Sequence, residues 1–394
     1  MKPVQRSFIR RTLSVGFLAT ALAAAPAMAA VKIGMITTLS GGGASLGVDI
    51  RDGFELALDM KGGKLGGADT ELIVVDDARK VENAKQAAIR MLKKDKVDVM
   101  TGIVWSNLAI AVVPSVTRTG TFYISPNAGP SALAGKGCNR NYFNVAWQND
   151  NLHEAAGQYV TDQGVKTAYV LAPNYPAGKD AITGFKRYFK GKIVGEVYTK
   201  LGQTDYAAEI ANLRAAKPEA VFFFLPGGMG INFVKQYAQA GVIKDIPLYG
   251  PAFSFDEGIL KAVGQSAIGV YNTSQYTHDL DNAANQAFAA AFVKKYGRTP
   301  SLYASQGFDA AMLLDSAIAS VGGDMSKKDA FRAALKAAKF DSVRGPFSFS
   351  SNHHPVQDIY VREVIAKGDG VTNKTVAKVF SGHGNAYEGD CKMK

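Results

Sequence analysis

The chain is poor in the residues that build reactive centres. Its 394 residues include 5 histidines, 2 cysteines and 2 tryptophans. No H-E-x-x-H motif or cysteine cluster occurs, and neither cysteine has a partner at metal-ligand spacing, so neither a metal nor a cofactor is expected. The histidines are His153, His278, His353, His354 and His383. The adjacent pair, His353-His354, lies in a polar run and is expected at the surface. No nucleophile–base pair is evident, which leaves an exported hydrolase as a remote alternative only. Beyond the N-terminus no apolar stretch reaches membrane-spanning length. Basic runs interleaved with aromatics are also missing, so the net charge of +11 does not point to nucleic acid. A mildly positive exported protein suits small anionic solutes or an acidic docking surface.

What is present starts with a leader. Lys2, Arg6, Arg10 and Arg11 form a positive n-region, Thr12 to Ala25 is apolar and small, and Ala27-Met28-Ala29 fits a cleavage site. Residues 1–29 read as a signal peptide, and the mature protein is expected to be soluble in the periplasm. No cysteine follows the cleavage site, so no lipid anchor is expected. In an oxidising compartment the pair Cys138 and Cys391 reads as a disulfide, with two free thiols as the alternative.

The mature chain alternates strand and helix. Strands are expected at 31–37, 71–75, 99–102, 121–124, 167–171, 192–198 and 221–225. Helices are expected at 52–61, 84–94, 108–117, 152–163, 179–189, 206–215 and 231–240. That pattern gives two doubly wound parallel-sheet units of similar size. Leu39 to Gly47 reads as a glycine-rich loop without the spacing of a P-loop or dinucleotide site. The stretch Val99–Pro130 organises the first unit. Two of its strands end in polar loops, Trp105-Ser106-Asn107 and Ser125 to Pro130, and the first loop starts a helix. In an open α/β sheet ligands bind beyond the strand ends, and a helix N-terminus there favours a carboxylate. Asp76-Asp77 read as turn and cap residues near the cleft edge. Gly269 to Tyr276 reads as a strand returning to the first unit. Long helices are expected at 283–296, 305–321 and 327–338, and strand-like pieces at 359–366 and 375–380.

In order and spacing this layout resembles the type I periplasmic binding proteins of the leucine/isoleucine/valine-binding branch. The resemblance rests on Ile33-Gly34 through Leu39-Ser40-Gly41, Asp76-Asp77, Ser125-Pro126, Thr204-Asp205-Tyr206, Ala304 to Ala311 and Arg344-Gly345-Pro346. It implies two α/β lobes, 30–147 with 275–356 and 148–274 with 357–394, with the ligand between them. They would be joined by three crossings, near Ala146–Asp150, Tyr271–Gln275 and Ser350–Asp358. It further implies a monomeric receptor serving an inner-membrane ABC permease, or a ligand sensor on the same fold. Ser106 matches the family's carboxylate-binding serine. Asn127, Ala128 and Gly129 match its next ligand-contact segment, and Leu46 and Tyr175 match two further contact positions. Asn107 and Ser125 flank these sites.

Two departures change the expected ligand. Amino-acid receptors hold the ammonium with an acid in the loop that here reads Gly250-Pro251-Ala252-Phe253-Ser254, and no acid follows until Asp256. The family threonine is Gly129. A carboxylate site without an ammonium site, walled by Trp105, Tyr175 and Phe253, resembles the subgroup that binds aromatic carboxylates such as benzoates and hydroxycinnamates. The setting of Cys138 and Cys391 also resembles that subgroup.

Overall fold

A computed structural model describes residues 1, 3, 4 and 30–393; the apolar core and cleavage site of the leader lie outside the described residues. No helix among the described residues is long and apolar enough to cross a membrane.

The first sheet holds β1 (Val31–Thr37), β2 (Lys64–Leu65), β3 (Ala68–Asp76), β4 (Val99–Thr101), β5 (Phe122–Ser125) and β6 (Tyr142–Asn144), in the order β2-β3-β1-β4-β5-β6. Apart from the β2–β3 hairpin its pairings are parallel. Its helices are α1 (Ala44–Met60), α2 (Val81–Arg90), α3 (Ser106–Arg118) and the single turn α4 (Ser131–Ala134). The second sheet takes β7 (Thr167–Pro173), β8 (Lys192–Thr199), β9 (Ala220–Phe223), β10 (Leu248–Pro251) and β11 (Tyr271–Ser274). Helices α5 (Asn151–Asp162), α6 (Pro176–Tyr188), α7 (Ala207–Ala216), α8 (Gly228–Gln239) and α9 (Glu257–Val263) alternate with them. Helices α10 (Ala283–Tyr296), α11 (Leu302–Ser320) and α12 (Lys328–Ala337) follow, and α11 packs along α1 of the first unit. The chain closes with β12 (Phe347–Phe349) and the long hairpin of β13 (Pro355–Lys367) and β14 (Gly370–His383). The second sheet runs β12-β13-β11-β10-β9-β7-β8, with β14 on β13.

Three expectations differ from this. The glycine-rich segment is not a loop as far as Gly47: a short helical turn at Gly41–Gly43 leads straight into α1, which puts Leu46 in its first turn. A Cβ on Gly43 would meet the Trp105 ring at 2.5 Å and one on Gly47 the Thr38 carbonyl at 2.0 Å, so the glycines let this helix start lie close against both. The strand leading back toward the first unit, β11, lies in the second sheet between β10 and β13, inside the 148–274 segment expected to form the second lobe. β12, placed with the first lobe by the expected division, is hydrogen-bonded to β13, which otherwise has an open edge there. His353 and His354 are buried, not surface residues. His353 stacks on Phe143 with centroids 4.0 Å apart, and the His354 ring faces Tyr142 at 5.7 Å. Aromatic stacking in the 350–358 crossing outweighs the polar look of the run.

The crossing at Ala146 is pinned by a buried cation. Arg344 pairs with Asp309 of α11 (Nε–Oδ2 2.8 Å) and donates to the Ala146 carbonyl (3.0 Å) and to Gln357 Oε1 (2.7 Å). Gln357 Nε2 donates to the same carbonyl at 2.7 Å. The segment that follows, Trp147 to Asp150, is thereby fixed at the edge of the space between the sheets. Cys138 and Cys391 are disulfide-bonded, tying the C-terminal tail to the first unit.

Candidate functional site

A cavity lies between the two sheets, beyond the C-terminal ends of their parallel strands. The first lobe contributes Leu46, Val104, Trp105, Ser106, Asn127 and Ala128. Tyr175, Ala177, Phe224, Pro226 and Phe253 face them from the second. Trp147, Asn149 and His153, at and just after the first crossing, and Tyr303 of α11 complete the lining.

The polar end of the cavity is built by α3. Its N-cap is Trp105, in extended backbone, and Ser106 is the first helical residue. The first intrahelical donor is the Ala109 N–H, bonded to the Trp105 carbonyl (3.0 Å), so the N–H groups of Ser106, Asn107 and Leu108 have no helical acceptor. The Ser106 hydroxyl accepts from Asn149 Nδ2 (3.1 Å), which leaves its own proton free for a ligand. The same Asn149 nitrogen donates to Asp180 Oδ2 (2.8 Å). Asp180, on α6, takes the Ser131 N–H (3.0 Å) and hydroxyl (2.6 Å) from the other lobe. Burial pushes its carboxyl above the usual range, and the Ser131 and Asn149 donors oppose that. The network therefore joins the two lobes and reaches Ser106 through Asn149.

The walls are aromatic. Tyr175 faces Trp105 at 6.3 Å and stacks nearly parallel on Phe224 at 6.3 Å. Phe253 packs on Trp147 (4.6 Å) and edge-on to Phe224 (5.4 Å). Trp105 is held by Nε1 donating to Thr38 Oγ1 (3.0 Å), and the Thr38 hydroxyl donates to Asp77 Oδ1 (2.6 Å). Asp77 and Asp76 otherwise accept backbone N–H groups of Arg79, Leu39 and Ala78; they hold the turn, as expected, but do not cap a helix, since the N-cap of α2 is Lys80. The Arg79 guanidinium lies 5.4 Å from the Trp105 ring centroid. Among the lining residues there is no Asp, Glu, Lys or Arg.

Of the residues singled out from sequence, Leu46, Trp105, Ser106, Asn127, Ala128, Tyr175 and Phe253 meet at this cavity; Asn107, Ser125 and Gly129 do not. Asn107, the second residue of α3, is only partly buried. The Ser125 hydroxyl donates to the Ala128 carbonyl (2.7 Å) and holds the loop in shape. Gly129 is spacing, not contact: a Cβ there would meet the Trp147 carbonyl at 2.1 Å. A threonine has no room on this backbone. Asp256 is also away from the cavity, accepting the Leu302 N–H at the start of α11 (2.7 Å), with burial raising its carboxyl to about 7. Trp147, Asn149, His153, Phe224 and Tyr303 were not singled out, because each lies in an unremarkable local sequence and reaches the cavity only through tertiary packing. The run Gly43-Ala44-Ser45-Leu46-Gly47 spells G-x-S-x-G, but Ser45 is exposed on the first turn of α1, not on a strand-to-helix elbow.

Two doubly wound lobes with an uncharged, aromatic-walled cavity at their facing strand ends define a binding protein of the two-lobed α/β receptor class. Residues 30–369 match the family described as periplasmic binding protein, and the chain belongs to that family, with its type I fold. Among curated relatives, a Leu/Ile/Val-binding protein homolog 6 of Brucella melitensis is 29% identical over 92% of this chain and 95% of its own. Among solved structures, an ABC-transporter solute-binding protein of R. palustris in complex with benzoate superposes with a TM-score of 0.87 at 35% identity, covering 92% of this chain and 100% of its own. A solute-binding protein of Rhodopseudomonas palustris BisB5 in complex with 3,4-dihydroxybenzoic acid gives 0.84 at 31% identity, over 90% of this chain and 98% of its own.

Proposed function

We propose that this protein is the periplasmic receptor of an ABC transporter. In this reading it captures a small aromatic carboxylate between its lobes and delivers it, as a monomer, to an inner-membrane permease. The observation that carries the reading is the pairing of an anion site with an apolar one. The free N–H groups of α3 and the Ser106 hydroxyl suit a carboxylate. Phe253 stands where an amino-acid receptor carries an acid. An ammonium buried there without a partner carries a desolvation penalty of several kcal/mol. A planar ring between Tyr175, Phe224 and Phe253 gains apolar burial and about 0.5–1.5 kcal/mol per aromatic pair. The benzoate and dihydroxybenzoate bound by the two solved relatives support the same class of ligand. The lobes would close on it by hinge motion at the three crossings.

One observation favours a second reading, an amino-acid receptor. Asn127 Nδ2 donates to the Val104 carbonyl (2.7 Å), but its Oδ1, buried in the cavity wall, accepts nothing. It could take an ammonium proton. Calorimetry with leucine, benzoate and 4-hydroxycinnamate separates the two. The proposal expects heat from at least one aromatic acid and none from leucine. Micromolar leucine binding with silence from both aromatic acids would return the protein to the amino-acid receptors.

A further inference from the structure

His153 is a polar group in the cavity wall that the carboxylate reading leaves without a task. It stands on the first turn of α5 and is 1% exposed. Its ring is enclosed by Phe222 (5.7 Å), Phe224 (5.0 Å) and Phe253 (6.1 Å), all from the second lobe. Its Nδ1 has no hydrogen-bond partner. Leaving a buried polar atom unmade is costly, and an apolar residue in this aromatic nest would avoid the cost. Burial in this apolar surround also pushes the imidazole down to about 3, so the ring is neutral at pH 7 and offers one donor and one acceptor.

The anion site lies on the other wall. Ser106 and the start of α3 belong to the first lobe, and His153 to the second. A ligand held by its carboxylate at Ser106 fills the gap with its ring against Phe224 and Phe253, the residues that enclose His153. A phenolic hydroxyl both donates and accepts, so it suits either tautomer of a neutral imidazole. A bare C–H edge would leave the nitrogen unpaired. We propose that His153 hydrogen-bonds a ring hydroxyl of the ligand, so that the preferred substrates are hydroxylated aromatic acids and not benzoate. This rests on the aromatic-acid reading above. Sites that hydrogen-bond a ligand hydroxyl discriminate strongly against the analogue lacking it, because the protein group is then left buried and unpaired.

The test is calorimetry of the full protein with benzoate, 3-hydroxybenzoate, 4-hydroxybenzoate and 3,4-dihydroxybenzoate, repeated on His153→Phe and His153→Gln. Wild type is expected to bind at least one hydroxylated acid about tenfold or more tightly than benzoate. His153→Phe should bring that ratio to near unity while benzoate affinity holds or improves. His153→Gln, which keeps a donor and an acceptor, should retain part of the preference, and it stands in for the phenylalanine variant should that fail to fold. An unchanged ratio in the folded variants overturns the assignment. So does a parallel loss for benzoate and its hydroxylated analogues, which would place His153 on the carboxylate. If wild type binds none of the four acids, the aromatic-acid reading falls and this inference with it; binding with an unchanged ratio removes the inference alone.

Discussion

Ser106 has two ways of holding an anion, its hydroxyl and its backbone N–H, and only the first is removed by truncation. A hydrogen bond to a charged group contributes about 1.5–3 kcal/mol. Ser106→Ala is therefore expected to weaken binding about tenfold or somewhat more and not abolish it. The methyl ester of the same acid should bind far worse than the acid. Equal affinities for acid and ester would show that the carboxylate lies elsewhere. The buried histidines make a different prediction. Burial pushes His353 and His354 down to about 4 from their ordinary 6.5. Between pH 6.5 and 4 the unfolded chain takes up protons that the folded one refuses. Their stabilisation is complete above 6.5 and is lost as pH falls toward 4, by about 1.4 kcal/mol per pH unit for each. Burial raises Asp49 and Asp150 to about 6, and Asp256 to about 7, so these favour the folded state toward acid and oppose the histidines. The comparison must therefore be between proteins. In His354→Gln the difference in unfolding free energy between pH 7.5 and pH 5 should shift by about 2 kcal/mol in favour of pH 5. Urea denaturation at both values reads it, and an unshifted difference would mean that His354 titrates normally.

Helices α1 and α11 make the most extensive helix–helix contact of the molecule, and glycines on both sides allow it. A Cβ on Gly53 of α1 would fall 1.9 Å from the Ala304 carbonyl oxygen, and one on Gly307 of α11 would fall 2.0 Å from that of Ile50. Backbone lies against backbone, so neither contact can be relieved by a side-chain rotation. Gly53→Ala gains helix propensity of about 0.5–1 kcal/mol and still should destabilise, because overpacking costs about 1–3 kcal/mol or more. A drop in melting temperature together with weaker ligand binding is expected, since α1 carries Leu46 and α11 carries Tyr303 into the cavity. A more stable Gly53→Ala would mean that the helices are further apart than described.

Between the lobes, Asp180 gathers three hydrogen bonds: two from Ser131 across the cleft and one from Asn149 at the first crossing. None involves the aromatic walls. Asp180→Ala should therefore weaken binding of every acid by a similar factor, about tenfold, by favouring the open form rather than by changing selectivity. Small-angle scattering of the ligand-saturated variant should show a larger open fraction than wild type; selective loss of one acid would place Asp180 in ligand recognition instead. The disulfide acts on a larger scale still. It closes a 253-residue separation and anchors the tail, whose Tyr387 hydroxyl donates to Asp150 (2.9 Å) at that crossing. Loop-closure entropy sets an upper bound of about 5 kcal/mol on its stabilisation. Cys138→Ser with Cys391→Ser should lower the melting temperature by several degrees. An unchanged melting temperature would show the tail to be independent of the fold.

Much of this was legible in the sequence because it is local. Strand and helix follow from periodicity and hydrogen bonds within a few residues, so the two α/β units could be read in order, as could Ser106 at a helix start and the missing acid beside Phe253. Two local readings failed where distant packing decided the outcome: the glycine-rich run became helix against other backbones, and His353-His354 were buried by aromatic rings from the first sheet. The cavity was the least legible part. Trp147, Asn149, His153, Phe224 and Tyr303 come from three separate segments, and no pattern within any segment marks them for a common site. Gly129 shows the same limit from the other side. Its sequence position marked it as a ligand contact, but the Trp147 carbonyl lies where its side chain would be. The sequence by itself determined the alternation of strand and helix and the helix start at Ser106. Only the tertiary structure decided which side chains face the ligand, because that depends on how the crossings, pinned by Arg344 and Gln357, set one lobe against the other.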